Sequence, residues 1–248
     1  MLQAYGDGRV FGETYGDGPV AVVWLHGWGR SGRDFAPPAT LLAQAGFGSL
    51  TLDLPGFGAS PPPEDAGGAR LYAQSVATAL AALGSPVVLV GHSFGGCVAT
   101  VVAAEHPELV RALVLTGSPL IRRPGTRRPP WGYRLVRALH ARSLVGEARM
   151  EAARQRYGSA DYRAARGVMR EVLVVTLNDN IESEIARVGV PVWLLWGADD
   201  TEVPVAIAEE ARQLFSRDAA LHVLEGVAHW VPTEAPGELV SAVREALA

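Results

Sequence analysis

Residues 87–96, VVLVGHSFGG, constrain this chain more than any other stretch. Four branched apolar residues in succession suit a strand buried on both faces, and the small-residue run CVATVVAAEH after the glycines suits a helix. Between them lies Gly91-His92-Ser93-Phe94-Gly95, a G-x-S-x-G turn. A serine at a sharp strand-to-helix corner has an exposed hydroxyl, and glycines two residues to either side let the backbones approach. The start of the helix then directs free N–H groups and partial positive charge at whatever that serine attacks. The bare pattern is weak. Set between a continuous apolar strand and a helix, it predicts a corner that presents a nucleophile.

On both sides of that corner, strands and helices alternate. Residues 5–15 carry the short runs and Gly-Asp-Gly turns of a hairpin. Residues 20–26, 47–52 and 110–116 read as buried strands, 34–45 and 70–83 as helices, and the PPPEDAGG segment as loop. This alternation predicts the α/β class, a mostly parallel sheet with helices on both faces. Between residue 118 and about residue 188 the alternation stops, and only helical patterns occur, at 133–142, 146–157 and 161–177. Strand 191–196, helix 205–215, strand 220–224 and helix 237–246 follow. Residues 118–188 are therefore expected to form a helical lid, inserted into a core of residues 1–117 and 189–248 and lying over the edge where the strand loops emerge. No internal repeat or low-complexity segment is present.

With 248 residues, 48% of them hydrophobic, the chain has ample material for a packed core, and the disordered class is excluded. No stretch has the apolar length of a membrane span, and the opening residues lack a basic-then-apolar leader, so a cytoplasmic location is the expectation. The single cysteine, Cys97, has no partner for an internal disulfide and reads as a small buried hydrophobe. One cysteine and scattered histidines make no metal-ligand cluster, so no metal is expected. All 22 basic residues are arginine, and 13 of them fall within residues 119–170 beside only three acids, Glu147, Glu151 and Asp161. The overall charge of −4 thus hides a basic segment set into an acidic body.

A serine hydroxyl is a poor nucleophile until a base takes its proton, and the base needs a carboxylate to fix its tautomer. Candidates lie after later strands. PVWLLW runs into Gly197-Ala198-Asp199-Asp200-Thr201-Glu202-Val203-Pro204, and ALHVLEG runs into Val227-Ala228-His229-Trp230-Val231-Pro232. The order is serine, acid, histidine. With H-G-W-G at 26–29, D-L-P-G-F-G-A-S at 53–60, G-H-S-F-G-G at 91–96 and these paired loops, the chain resembles the α/β-hydrolase superfamily across almost its whole length. The resemblance is closest to its small lidded members: carboxylesterases, carbon–carbon bond hydrolases and pimeloyl-carrier-protein methyl ester esterases.

That resemblance implies a triad of Ser93, Asp200 and His229, with Asp199 the alternative acid. It implies an oxyanion hole made by the backbone N–H groups of Trp28 and Phe94, and no cofactor. It gives His26 the task of ordering the oxyanion loop, His92 a packing role and Asp53 that of a structural acceptor. His106, His140 and His222 carry no chemistry, and Gly56-Phe57-Gly58 lacks the third glycine of a dinucleotide loop. Serine at the corner disfavours the haloalkane dehalogenase and epoxide hydrolase branches, which use aspartate there. The expected activity is hydrolysis of small or medium carboxylic esters through an acyl-enzyme. The alternatives are carbon–carbon cleavage of a vinylogous diketo acid, esterase action on a carrier-protein ester, and a non-turnover ligand receptor. The expected partners are a small-molecule ester and, at the basic lid, an acidic carrier protein or anionic substrate; no nucleic acid is expected.

Overall fold

The structure, a computed structural model, describes residues 2–122 and 130–248. The opening hairpin pairs β1 (Leu2–Tyr5) with β2 (Val10–Tyr15) and turns through Gly6, Asp7 and Gly8, all at positive φ. Glycine and aspartate tolerate that region, so the turn settles there and the first strand precedes it, outside the expected 5–15 window. Next come β3 (Val20–Leu25), α1 (Ala36–Gln44), β4 (Gly48–Asp53), α2 (Ala69–Ala81), β5 (Val87–His92), α3 (Phe94–Glu105) and β6 (Val110–Thr116). The helix expected from residue 34 begins as a 3-10 turn, Gly32–Phe35, and becomes α1 where Pro37 and Pro38 occupy its first turn; proline's missing N–H costs nothing there.

Among the described residues, five helices lie between β6 and the next strand: α4 (Trp131–Ala141), α5 (Glu147–Tyr157), α6 (Ala160–Ala164), α7 (Val168–Asn178) and α8 (Glu182–Ile185). The single helix expected over 161–177 is two, broken where Gly167 takes φ 51°. The chain closes with β7 (Val192–Gly197), α9 (Val205–Arg212), β8 (Ala219–Leu224), α10 (Val231–Glu234) and α11 (Pro236–Leu247). The short α8 and α10 carry too few residues to show a period, and the sequence reading did not find them.

The eight strands among the described residues form one sheet in the order β1-β2-β4-β3-β5-β6-β7-β8, antiparallel at β1 and β2 and parallel from β4 onward. Strands β4 and β5 have no exposed residue, as expected for parallel strands covered on both faces. Helices α2, α3 and α9 pack on one face around Leu89, Leu113, Val98 and Trp196; α1 and α11 pack on the other around Trp24, Val88, Val90 and Leu42. The connections reverse direction between β3 and β5. In open α/β sheets that is where the strand ends leave a crevice for a ligand. None of the described helices is long and apolar enough to cross a membrane.

The helices between β6 and β7 meet α2 at a polar clasp. Arg70 on α2 reaches Asp179 Oδ1 (2.9 Å), Glu184 Oε1 (2.6 Å) and the Asn180 carbonyl (3.0 Å). Asp179 Oδ2 also accepts the Ala69 N–H (2.9 Å). Burial raises the Glu184 pKa, but hydrogen bonds from Ser183 and Arg70 outweigh it and hold the carboxyl below the ordinary glutamate value.

Candidate active site

Ser93 stands between β5 and α3 at φ 51° and ψ −120°, a backbone conformation few non-glycine residues adopt. The strain is held by packing that only glycine allows. A Cβ at Gly95 would lie 2.3 Å from the Leu25 carbonyl oxygen and 2.5 Å from that of His26. Both are backbone atoms of the neighbouring strand end and cannot move aside. Gly95→Ala is expected to cost about 2–4 kcal/mol, lowering Tm by roughly 5–15 °C in thermal denaturation. Gly237→Ala, whose Cβ would meet open space in α11, should leave Tm unchanged or slightly raised.

Beside the serine runs the loop after β3. A Cβ at Gly27 would come 3.2 Å from Ser93 Cβ, which fixes how closely this loop approaches the corner. His26 shapes the loop: its Nδ1 lies 2.7 Å from the Gly27 carbonyl, and its Nε2 accepts the Leu54 N–H (3.0 Å). Accepting at Nε2 requires the neutral imidazole protonated on Nδ1, and burial lowers the His26 pKa in the same sense. Asp53 ties the far end of the loop down, with Oδ1 taking the Gly32 N–H (2.7 Å) and Oδ2 the Ala59 N–H (2.8 Å). Phe94 opens α3, so its N–H is the first orphan donor of that helix. Trp28 and Phe94 also turn their rings toward each other (centroids 5.7 Å apart). Phe57 packs on Trp28 (5.0 Å) and Tyr72 on Phe94 (4.9 Å). Met169 of α7 completes this aromatic wall, its Sδ 3.9 Å from the Tyr72 hydroxyl.

From the other side come two loops at the ends of β7 and β8. His229 Nδ1 lies 2.8 Å from Asp200 Oδ2, and both residues are buried. Asp199 is exposed and contributes its backbone N–H to Val227 O instead (3.0 Å), so of the two candidate acids only Asp200 meets the imidazole. The His229 ring packs on His92 (4.8 Å) and on Trp230 (5.2 Å). Since His92 directly precedes Ser93, this stack sets the imidazole beside the strained corner. Burial, reinforced by the neighbouring His229, pushes the His92 pKa down to about 3, so no second positive charge develops there near neutral pH. Cys97, one turn into α3, is buried and its thiol is pushed up to about 12, which leaves it unreactive.

Sequence reasoning did not single out three residues at this site. Gly117, at φ 55° after β6, would bring a Cβ 2.9 Å from His229 Cε1; a glycine closing a buried strand was its only signal. Arg30 lies over the Trp230 ring at 4.7 Å while pairing with Asp34 (2.6 Å). Glu202 places Oε2 3.7 Å from His229 Nε2.

A parallel sheet with a serine corner at its switch point and a paired acid and histidine on later strand ends defines a hydrolase-type α/β architecture. Comparison with known proteins agrees: the alpha/beta hydrolase family matches over residues 22–243, and the chain belongs to that family. A pimeloyl-acyl-carrier-protein methyl ester esterase of Chromobacterium violaceum is 44% identical over 111 residues, covering 44% of this chain and 41% of that protein. The enzyme of the same name from Aromatoleum aromaticum is 32% identical over 212 residues, covering 76% of this chain and 82% of that protein. The crystal structure of a bromoperoxidase from Bacillus anthracis has a TM-score of 0.76 at 17% identity, covering 100% of this chain and 99% of that one, a likeness of fold alone.

Proposed function

We propose that the chain hydrolyses carboxylic esters through Ser93, His229 and Asp200. The observation that carries this reading is a His229 imidazole held by a buried carboxylate at 2.8 Å and packed at 4.8 Å on His92, the residue directly before the strained, positive-φ Ser93. In this mechanism Ser93 Oγ attacks the ester carbonyl while His229 Nε2 takes its proton, and the imidazolium that forms is stabilised by Asp200. The N–H groups of Trp28 and Phe94 receive the oxyanion, each worth about 3 kcal/mol of barrier. His229 then protonates the leaving alcohol, and a water deprotonated by the same nitrogen releases the acid.

A fluorophosphonate should label Ser93 and no other serine, read by peptide mass analysis. A panel of short and long acyl esters, a carrier-bound ester and a diketo acid separates ester hydrolysis from carbon–carbon cleavage. Absence of turnover on every member would leave a ligand receptor and sink the esterase reading.

The five helices between β6 and β7 would act as the lid, since Met169 reaches the aromatic wall beside the oxyanion loop. The names of the two relatives point to a carrier-bound ester as substrate, and the basic charge of this segment supports an acidic partner. Arg154 and Arg170 are engaged inside the lid by Glu147 and Glu151, and Arg122 by the Thr176 carbonyl. Arg123, Arg127 and Arg128 lie outside the described residues. Arg134, Arg137 and Arg149 are exposed and have no carboxylate partner among the described residues. Replacing these three by glutamine should flatten the fall of kcat/KM with rising salt for a carrier-bound ester. A small neutral ester should respond little in either protein. Equal salt responses for both substrates would remove the carrier reading and leave the arginines as a solvated face.

A further inference from the structure

The carboxylate that orients His229 also fixes the residues after it. Asp200 Oδ1 accepts the backbone N–H of Glu202 (2.9 Å) and of Val203 (2.8 Å), so the loop folds back on its own acid. This turn carries the Glu202 side chain to the opposite edge of the imidazole, where Oε2 lies 3.7 Å from Nε2. The Glu202 side chain is 62% exposed, and no arginine among the described residues pairs with it. A solvated loop carboxylate is ordinarily of no consequence, and Asp200 already meets the need for an orienting charge. The position of Glu202 sets it apart, because Nε2 is the nitrogen that must hand a proton to the departing oxygen.

That transfer requires the leaving oxygen within about 3 Å of Nε2. The Glu202 carboxylate is then no more than about 7 Å from the leaving oxygen, and closer to substituents that extend toward it. We propose that Glu202 selects the alcohol half of the ester by charge. The leaving-group subsite takes neutral or cationic alcohols and turns away those with an anionic group next to the hydroxyl. The inference rests on the ester reading above and assigns the chemistry of one side of the substrate. Its sign is opposite to that of the lid arginines, which favour anions. An ester with a small uncharged alcohol, and with its anionic bulk on the acyl side, satisfies both.

Three butanoate esters test this: those of choline, of 3,3-dimethylbutanol (its uncharged carbon isostere) and of 2-hydroxyethanesulfonate. The readout is the ratio of kcat/KM for the choline and sulfonate esters, compared between wild type, Glu202→Gln and Glu202→Asp at low ionic strength. Comparing ratios across proteins cancels the intrinsic reactivity of each ester. At this separation and exposure the ratio should be about tenfold higher in wild type than in Glu202→Gln, with Glu202→Asp between them and the difference shrinking as salt rises. A ratio unchanged by Glu202→Gln, or one that moves toward the cationic ester, overturns the proposal.

Turnover of the neutral ester by wild type, and its loss in Ser93→Ala, tests the ester reading separately. Where none of the three esters is turned over, phosphonylation supplies a cationic-to-neutral ratio instead. Methylphosphonothioates with thiocholine or 3,3-dimethylbutanethiol as leaving group transfer phosphorus to Ser93, the Oγ–P bond forming as the P–S bond breaks and the thiolate departs. Faster labelling by the thiocholine reagent in wild type, lost in Glu202→Gln, supports the selector; equal relative rates in both proteins overturn it.

Discussion

Ser93→Ala is expected to leave a folded protein whose ester turnover falls by about five orders of magnitude or more. The size of the effect follows from what remains. Alanine keeps the Ser93 N–H, which bonds to Thr116 O (2.9 Å), and keeps the carbonyl that receives the Gly96 N–H (3.0 Å), so the corner and the start of α3 survive. What disappears is the oxygen that the imidazole activates in the proposed mechanism. Oxyanion donors and substrate binding alone still leave a rate of roughly 10³ to 10⁴ over water. Thermal denaturation should show a Tm within a few degrees of wild type, and the fluorophosphonate label should vanish. Retention of a tenth of the activity with the corner intact would show that another nucleophile is in use.

The second large effect is expected at Asp200. Its Oδ1 is committed to the N–H groups of Glu202 and Val203, which only an oxygen can accept, so Asp200→Asn must keep oxygen there and turn its NH2 toward His229. An amide donor facing Nδ1 forces the proton onto Nε2, the tautomer that cannot accept from serine. By analogy with triad acids replaced in this way, kcat should fall by about 10⁴. Asp199→Asn, on an exposed side chain, should change kcat less than about twofold. Rate measurements that reverse this ranking would mean that the acid has been assigned to the wrong member of the pair.

The architecture was largely legible in the sequence because its strongest signals are local. Continuous apolar runs such as VVLV and PVWLLW can sit only in strands covered on both faces, and their alternation with helical periods admits few topologies other than a parallel sheet. The α/β class and the hydrolase family follow from that together with the spacing of the four motifs. Boundaries were less legible where a single backbone angle decides them, as at Gly167, or where a helix is shorter than its own period, as in α8 and α10. At the site, the loops bearing Ser93, Asp200 and His229 could be found from their positions at strand ends. The contacts between loops could not. Glu202 over His229, Arg30 on Trp230 and Met169 against Tyr72 join residues whose separation in space leaves no periodic trace in sequence.

The Arg70 clasp has a consequence for how stability is distributed over the helices between β6 and β7. Arg70 joins partners 109 and 114 residues further along the chain, and all of them lie where α7 gives way to α8. The helices between β6 and β7 are therefore riveted to the core at their trailing end, while α4 and α5 are held chiefly by each other. Amide hydrogen exchange should accordingly show a gradient, fastest in α4 and α5 and slowest at the α7–α8 junction. The Glu184 pKa is depressed in the folded state, so this rivet is fully set above the ordinary glutamate pKa and loosens as pH falls through the depressed value. Acid should flatten the gradient from its protected end while the sheet is still intact.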